Sequence, residues 1–205
     1  MVLWGLQHGL MEKRKRWQIT NVGGVEFQLL NLDHSSVEKK VIAEMETGVE
    51  VYYDRRWSAT AVLTDWLGVN RTLFKEKNVL VLGAGVGAET LLLGEFGMHV
   101  WLNDLAPTAL ELCAEQMEQN KLTNFTLLEG RYEQLALPQV DLVVGSFLIY
   151  NDDTFAAMEN FLTGHRGQLI LVNERLAPFP EFLTRHPHEV IFEDENGAVG
   201  VLVGG

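Results

Sequence analysis

Three glycines and one distant acid carry the first chemical signal. A short apolar run at 79–82 ends in Gly83-Ala84-Gly85-Val86-Gly87-Ala88, and a helical stretch opens at Glu89. Glycines there let the backbone turn tightly and approach a ligand, with a helix N-terminus behind it. Asp104 stands nineteen residues after Gly85, at the end of the next apolar run. A carboxylate at that place accepts hydrogen bonds from both hydroxyls of an adenosine ribose. Strand, glycine loop, helix, strand and acid in this order read as a nucleotide pocket. The pattern does not choose the nucleotide. Gly83-x-Gly85-x-x-Ala88 also satisfies the dinucleotide fingerprint, which leaves NAD(P) and an oxidoreductase open.

A second group follows the apolar run at 141–146. Tyr150-Asn151-Asp152-Asp153 falls at the carboxyl edge, where open sheets bind ligands. Tyr150 there can position an acceptor, with Asp152 or Asp153 near the mouth. A core tyrosine followed by an aspartate cap for a helix over 154–162 fits the same residues. Tyr52, Tyr53 and Trp57 form either an aromatic wall for a ligand or ordinary packing. His186-Pro187-His188 lacks a carboxylate or cysteine at ligand spacing, so it reads as a surface turn and no metal site is expected. Cys113 is the only cysteine and lies within a helical stretch with no histidine placed to activate it, so it reads as a buried structural thiol. No Gly-x-Ser-x-Gly or Walker pattern occurs.

These residues need a scaffold, and the apolar periodicity supplies one. Runs at 16–21 and 25–32 flank Val22-Gly23-Gly24 and predict a β-hairpin. Helices are expected from a cap at Ser35 or Ser36 through 44, and over 57–67. From 78 onward, strands at 79–82, 99–102, 125–128, 141–146 and 168–172 alternate with helices at 89–96, 107–120 and 154–162. Continuous apolar strands separated by helices mark a buried parallel sheet. After a helix at 180–185, runs at 189–192 and 198–203 flank a turn and predict a closing antiparallel hairpin. The fold class is an α/β open sheet with an N-terminal hairpin and helices laid against it.

The chain has 205 residues, 47% of them hydrophobic, and a net charge of −12. That fits a single domain over 1–205, with 1–50 as an N-terminal appendage and 51–205 as the cofactor-binding core. Residues 1–80 hold 11 bases against 10 acids; residues 81–205 hold 5 against 18. Such an acidic body repels a phosphate backbone and disfavours nucleic acid as a partner. The run Lys13-Arg14-Lys15-Arg16 reads as a solvated arm or a contact for an acidic partner. The stretch Met1 to Met11 lacks a basic leader, and no internal apolar run approaches the roughly 20 residues of a membrane span. A cytoplasmic protein without membrane contact is expected.

The blocks Val79-Leu-Val-Leu-Gly-Ala-Gly-Val-Gly87, Asn103-Asp-Leu-Ala-Pro107, the helix 109–120 and Asp141-Leu-Val-Val-Gly-Ser-Phe-Leu-Ile-Tyr150 occur in sequence order. Together they resemble the class I S-adenosylmethionine-dependent methyltransferases over about residues 50–175. The N-terminal hairpin, Trp57-Ser-Ala-Thr-Ala, Tyr150 and Asn173-Glu174-Arg175 are similar to the seven-strand protein-lysine methyltransferases, including those acting on chaperones, elongation factors and the electron-transfer flavoprotein β-subunit. The resemblance implies a Rossmann-like, mostly parallel seven-strand sheet with helices on both faces and S-adenosylmethionine as cofactor. It implies that Gly83, Ala84, Gly85 and Gly87 pass beneath the methionine part, that Asp104 binds the ribose and that Leu105 flanks the adenine. Trp57 would line the pocket, Ser146 would lie near the methyl group, and Arg131 stands at the position facing the adenine amine.

Three positions depart from the family pattern. Val81 stands where an acid usually helps hold the cofactor's ammonium. Arg131 stands where an aspartate is common, with Glu129 nearby as a substitute. Phe147 replaces the acid of Asp-x-x-Tyr, whose tyrosine is kept as Tyr150. The expected activity is methyl transfer to a protein side-chain amine, lysine first, or to a small amine. A non-catalytic S-adenosylmethionine-binding module is the alternative.

Overall fold

The computed structural model describes residues 15–165 and 167–204. Lys13 and Arg14 of the basic run, and the stretch Met1 to Met11, lie outside them. Strands β1 (Trp17–Val22) and β2 (Val25–Leu30) pair antiparallel through the Gly23-Gly24 turn as a separate two-stranded sheet. The main sheet has seven strands: β3 (Asn78–Leu82), β4 (His99–Asp104), β5 (Phe125–Glu129), β6 (Leu142–Ser146), β7 (Leu169–Glu174), β8 (His188–Glu193) and β9 (Ala198–Val203). Their order is β5-β4-β3-β6-β7-β9-β8, parallel except where β9 runs antiparallel to β7 and β8. This is the open α/β sheet that the apolar runs predict, in the Rossmann-like, seven-strand form that the resemblance implies.

Among the described residues six α-helices cover the sheets: α1 (Ser35–Met45), α2 (Ser58–Val69), α3 (Glu89–Phe96), α4 (Pro107–Gln119), α5 (Asp152–Gly164) and α6 (Phe179–Arg185). Side chains alternate across a strand, and β3 shows the consequence. Val79 and Val81 pack into the layer of α2, α3 and α4, among Leu63, Leu91 and Cys113. Leu80 and Leu82 pack into the layer of α5 and α6, with Met158, Phe161 and Phe182. The strand is buried on both faces, so it reads as one continuous apolar run. Among the described residues no helix is long and apolar enough to cross a membrane.

Several element ends differ from the sequence reading, each for a local reason. Strand β2 stops at Leu30 because Asn31 turns the chain: its backbone N donates to Arg16 O at 2.8 Å and its Oδ1 accepts from Asp33 N at 3.2 Å. Helix α1 is capped by His34, whose Nδ1 accepts from Ser36 N, rather than by a serine. Helix α5 starts two residues early because Asn151 and Thr154 form a reciprocal capping box. Strand β7 runs on through Asn173 and Glu174 because pairing with β9 continues to Ala198. Asn173 and Glu174 therefore close the strand rather than follow it.

Helix α4 holds the N-terminal hairpin in place. Gln116 Oε1 accepts from Leu30 N at 2.9 Å, and Asn120 both accepts from Gln28 N and donates to Gln28 O. Arg16 and Lys40 converge on Glu115, with Lys40 also 2.8 Å from Glu111. The free edge of β2 is thereby satisfied by side chains instead of by another strand.

Candidate active site

Strand order reverses at β3, whose neighbours are β4 on one side and β6 on the other. The carboxyl ends of these strands open a crevice at the switch point, the place where open α/β sheets bind ligands. A cavity of about 280 Å³ lies there. The glycine loop leaves β3, Asp104 ends β4 and Ser146 ends β6, so three neighbouring strand ends deliver the candidate residues to one place.

Gly83 and Gly85 have φ of +58° and +51°, a region that side-chain-bearing residues rarely adopt. The turn they make is fastened to β4. Gly85 N donates to Asp104 Oδ2 at 2.8 Å, Ala106 N donates to Oδ1 at 2.9 Å, and Ala84 N donates to Asn103 O at 2.8 Å. Asp104 thus shapes the loop as well as facing the cavity, and each oxygen keeps a lone pair for a ligand. Burial pushes its carboxyl above the ordinary range, opposed by these backbone N–H groups.

One side of the cavity is aromatic. Trp57 stacks on Phe147 at 4.4 Å between ring centroids, and Phe147 stacks on Tyr150 at 5.8 Å. Tyr52 meets Tyr150 at 5.1 Å, while Trp57 Nε1 donates to Tyr52 O. Phe147 holds φ of +53°, a strained value for an aromatic residue. The loop after β6 is fixed in that shape by Phe147 N donating to Val172 O and by Asn173, which bonds both Ile149 N and Ile149 O. The Tyr150 hydroxyl is pushed up to about 12, by burial first and then by nearby acids and Tyr52. Tyr150 is therefore a neutral phenol at physiological pH.

The cavity brings together Trp57, Gly83, Ala84, Gly85, Gly87, Asp104, Leu105, Arg131, Ser146 and Tyr150. Leu105 borders it while 56% exposed. Arg131 borders it in an ion pair with Glu133 at 2.5 Å. Asp153 lines the cavity and Asp152 does not. Glu129 ends β5 opposite Asp104 and stays outside the lining. Val81 is buried in the core beneath α2, α3 and α4.

Sequence reasoning missed three groups here. Glu44 of α1 accepts from Thr108 N at 2.9 Å at the start of α4 and from the Tyr53 hydroxyl, so the appendage anchors a residue that packs against Gly85. Glu89 opens α3, is 2% exposed and borders the cavity. Arg56 borders it beside Trp57. An acid at the start of a helix ordinarily signals a favourable dipole position on a wet surface. Only the fold shows that Glu89 points inward.

The remaining candidates lie elsewhere. His186 bonds Glu159 at 2.9 Å, His188 bonds the carbonyl of His186, and among the described residues no cluster of three metal-ligating side chains occurs. Cys113 is fully buried, and burial pushes its thiol up to about 12. It is expected to resist iodoacetamide at pH 8 in the folded protein and to take one equivalent after denaturation, counted by mass spectrometry; rapid native labelling would contradict its burial.

Residues 79–163 match the family model described as "Methyltransferase domain". Among curated proteins, the chain is 30% identical over 106 residues to histone-arginine methyltransferase METTL23 of Xenopus laevis, covering 48% of this chain and 45% of that protein. It is 28% identical over 162 residues to EEF1A lysine methyltransferase 3 of Mus musculus, covering 72% and 69%. The chain spans about half the length of the first relatives it matches. A 16S rRNA methyltransferase of T. thermophilus (RsmC), solved in complex with AdoMet and guanosine, superposes with a TM-score of 0.67 at 16% identity, over 92% of this chain and 50% of that one.

Proposed function

We propose that this chain, which carries a class I S-adenosylmethionine-dependent methyltransferase domain and resembles the protein-lysine methyltransferases, transfers a methyl group to a cationic protein side chain, lysine first. The observation that carries the finer reading is the aromatic wall of Tyr52, Trp57, Phe147 and Tyr150 beside the glycine loop, with Glu50 and Asp153 on the same cavity. Aromatic faces and flanking carboxylates attract a lysine ammonium or an arginine guanidinium. The curated relatives support a protein acceptor, since their names specify lysine or arginine.

The residues present suit the cofactor. Asp104 has lone pairs for ribose hydroxyls, and the glycine loop leaves room for close backbone approach. When bound, S-adenosylmethionine supplies a methyl group on a sulfonium, a leaving group that needs no protonation. The protein's share is alignment and exclusion of water. A lysine acceptor must also lose a proton before its lone pair is free, and that proton passes to solvent at the mouth of the cavity, beside Asp153. Tyr150 stays a phenol, so it orients the amine through its oxygen rather than removing the proton as a phenolate. Of the two candidate acids, Asp153 borders the cavity and takes the role near the mouth; Asp152 is assigned none.

The test is incubation with labelled S-adenosylmethionine and protein extract, with the modified residue identified by mass spectrometry. Methyl-lysine supports the reading, methyl-arginine corrects the acceptor, and tight cofactor binding with no transfer favours the binding module. On a confirmed acceptor, Tyr150→Phe is expected to lower kcat about tenfold while affinity for S-adenosylhomocysteine holds. Unchanged turnover would remove Tyr150 from the mechanism.

A further inference from the structure

Glu89 has no part in the reading above, yet its position is unusual for a carboxylate. Its side chain lies so close beneath Gly87 that a Cβ added there would fall on the carboxyl group. Oε1 reaches Ser146 Oγ only at 3.5 Å, and Oε2 is buried with no hydrogen-bond partner. A buried carboxylate with an open oxygen is costly, and native structures retain one where something completes it. Arg56 borders the same cavity with its charge acting on Glu89, and Arg56 Nη2 donates to Leu30 O at 2.7 Å. Asp104 and Glu89 meet different residues of the glycine loop: Gly85 N bonds the first, and Gly87 rests on the second.

We propose that Glu89 and Arg56 together hold the amino-acid end of the cofactor, Glu89 accepting from its α-ammonium and Arg56 donating to its α-carboxylate. This rests on the S-adenosylmethionine reading. With the ribose at Asp104, the aminocarboxypropyl chain must follow the glycine loop away from that acid. It ends in one cation and one anion; of the charged residues that line the cavity, Glu89 packs beneath Gly87 and Arg56 is the guanidinium whose charge acts on it. The opposite pairing would set like charges together. Position 81 cannot supply the acid, because Val81 faces the core of α2, α3 and α4. Glu89 brings a carboxylate to the cavity from the helix instead of from the strand.

Burial pushes the Glu89 carboxyl up to about 7, opposed by its own backbone N–H, Ser146 and Arg56. The groups that face it are Arg56 from the segment before α2, Ser146 from β6 and the Cys113 thiol from α4. A cationic ligand favours the ionised carboxylate. Binding therefore releases protons near neutrality, and affinity rises as pH goes from 6 to 8.

The test compares S-adenosylhomocysteine with 5′-methylthioadenosine, which has the same nucleoside and sulfur and no amino-acid end, by calorimetric titration. Glu89→Gln, checked for an unchanged melting profile, is expected to weaken S-adenosylhomocysteine at least tenfold and methylthioadenosine less than twofold. Equal weakening of both ligands, or of neither, overturns the assignment. A second readout needs no variant: titrating wild-type protein with S-adenosylhomocysteine in two buffers of different ionisation enthalpy at pH 7 is expected to show proton release, and proton uptake would overturn the assignment. If wild-type protein binds neither ligand, the S-adenosylmethionine reading itself fails. If it binds both equally well, only the Glu89–Arg56 assignment fails.

Discussion

Asp104→Asn is expected to lower affinity for S-adenosylhomocysteine about 100-fold in a calorimetric titration. Both carboxylate oxygens already accept backbone N–H groups, from Gly85 and from Ala106. An amide turns one of these acceptors into a donor, so a backbone N–H then faces an NH₂ group whichever way the amide points. The glycine loop loses a fastening, and a ribose bound at Asp104 would lose a charged acceptor. Hydrogen bonds to charged groups contribute about 1.5–3 kcal/mol each, and about 1.4 kcal/mol corresponds to tenfold in binding. At the lower end of that range, one such bond lost at the loop and one at the ligand give the stated factor. Affinity within threefold of wild type would remove Asp104 from the pocket.

The second large effect concerns stability. Gly68 lies in α2 against the hairpin turn, and a Cβ there would stand 2.4 Å from the Cα and the carbonyl oxygen of Gly23. Both obstacles are backbone, so no rotamer change relieves them. Replacing glycine by alanine inside a helix ordinarily stabilises by about 1 kcal/mol. Overpacking a rigid contact costs about 1–3 kcal/mol or more, and here either the hairpin or α2 must shift. Gly68→Ala is therefore expected to destabilise by about 2 kcal/mol and to lower Tm by roughly 4–8 °C, given about 2–4 °C per kcal/mol at this chain length. Gly164→Ala is the control, since nothing lies within 4 Å of the added carbon. If both variants melt together, the hairpin does not press on α2 as described.

What was legible in the sequence is what rests on local pattern. The strands β3 and β6 are legible because burial on both faces leaves unbroken apolar runs over residues 79–82 and 142–145, with the polar Asn78 and Ser146 only at their half-buried ends. The glycine turn and the acid at the end of β4 stand where the sequence puts them, because a tight turn and a strand-end acid are both short-range requirements. Glu89 and Glu44 were not legible: a charged residue at a helix end or on an amphipathic helix looks solvated until another element covers it. The choice between Asp152 and Asp153 was beyond reach for a related reason. A helix rotates by about 100° per residue, so the side facing the cavity depends on where the helix begins, and Asn151 rather than an aspartate sets that point. The aromatic stack needed the positive φ of Phe147, which depends on Asn173 reaching across from β7.

Glu44 gives the N-terminal segment a mechanical meaning. It grips the first turn of α4 and the Tyr53 hydroxyl at once, and Tyr53 leans on Gly85. A boundary at residue 50 therefore follows a change in sequence character while cutting across a brace. The ligand crevice behaves as an arch: its keystone residues come from the parallel sheet, and part of the thrust is taken by a helix that precedes the sheet. Loosening α1 would slacken the glycine loop without altering any residue that lines the crevice.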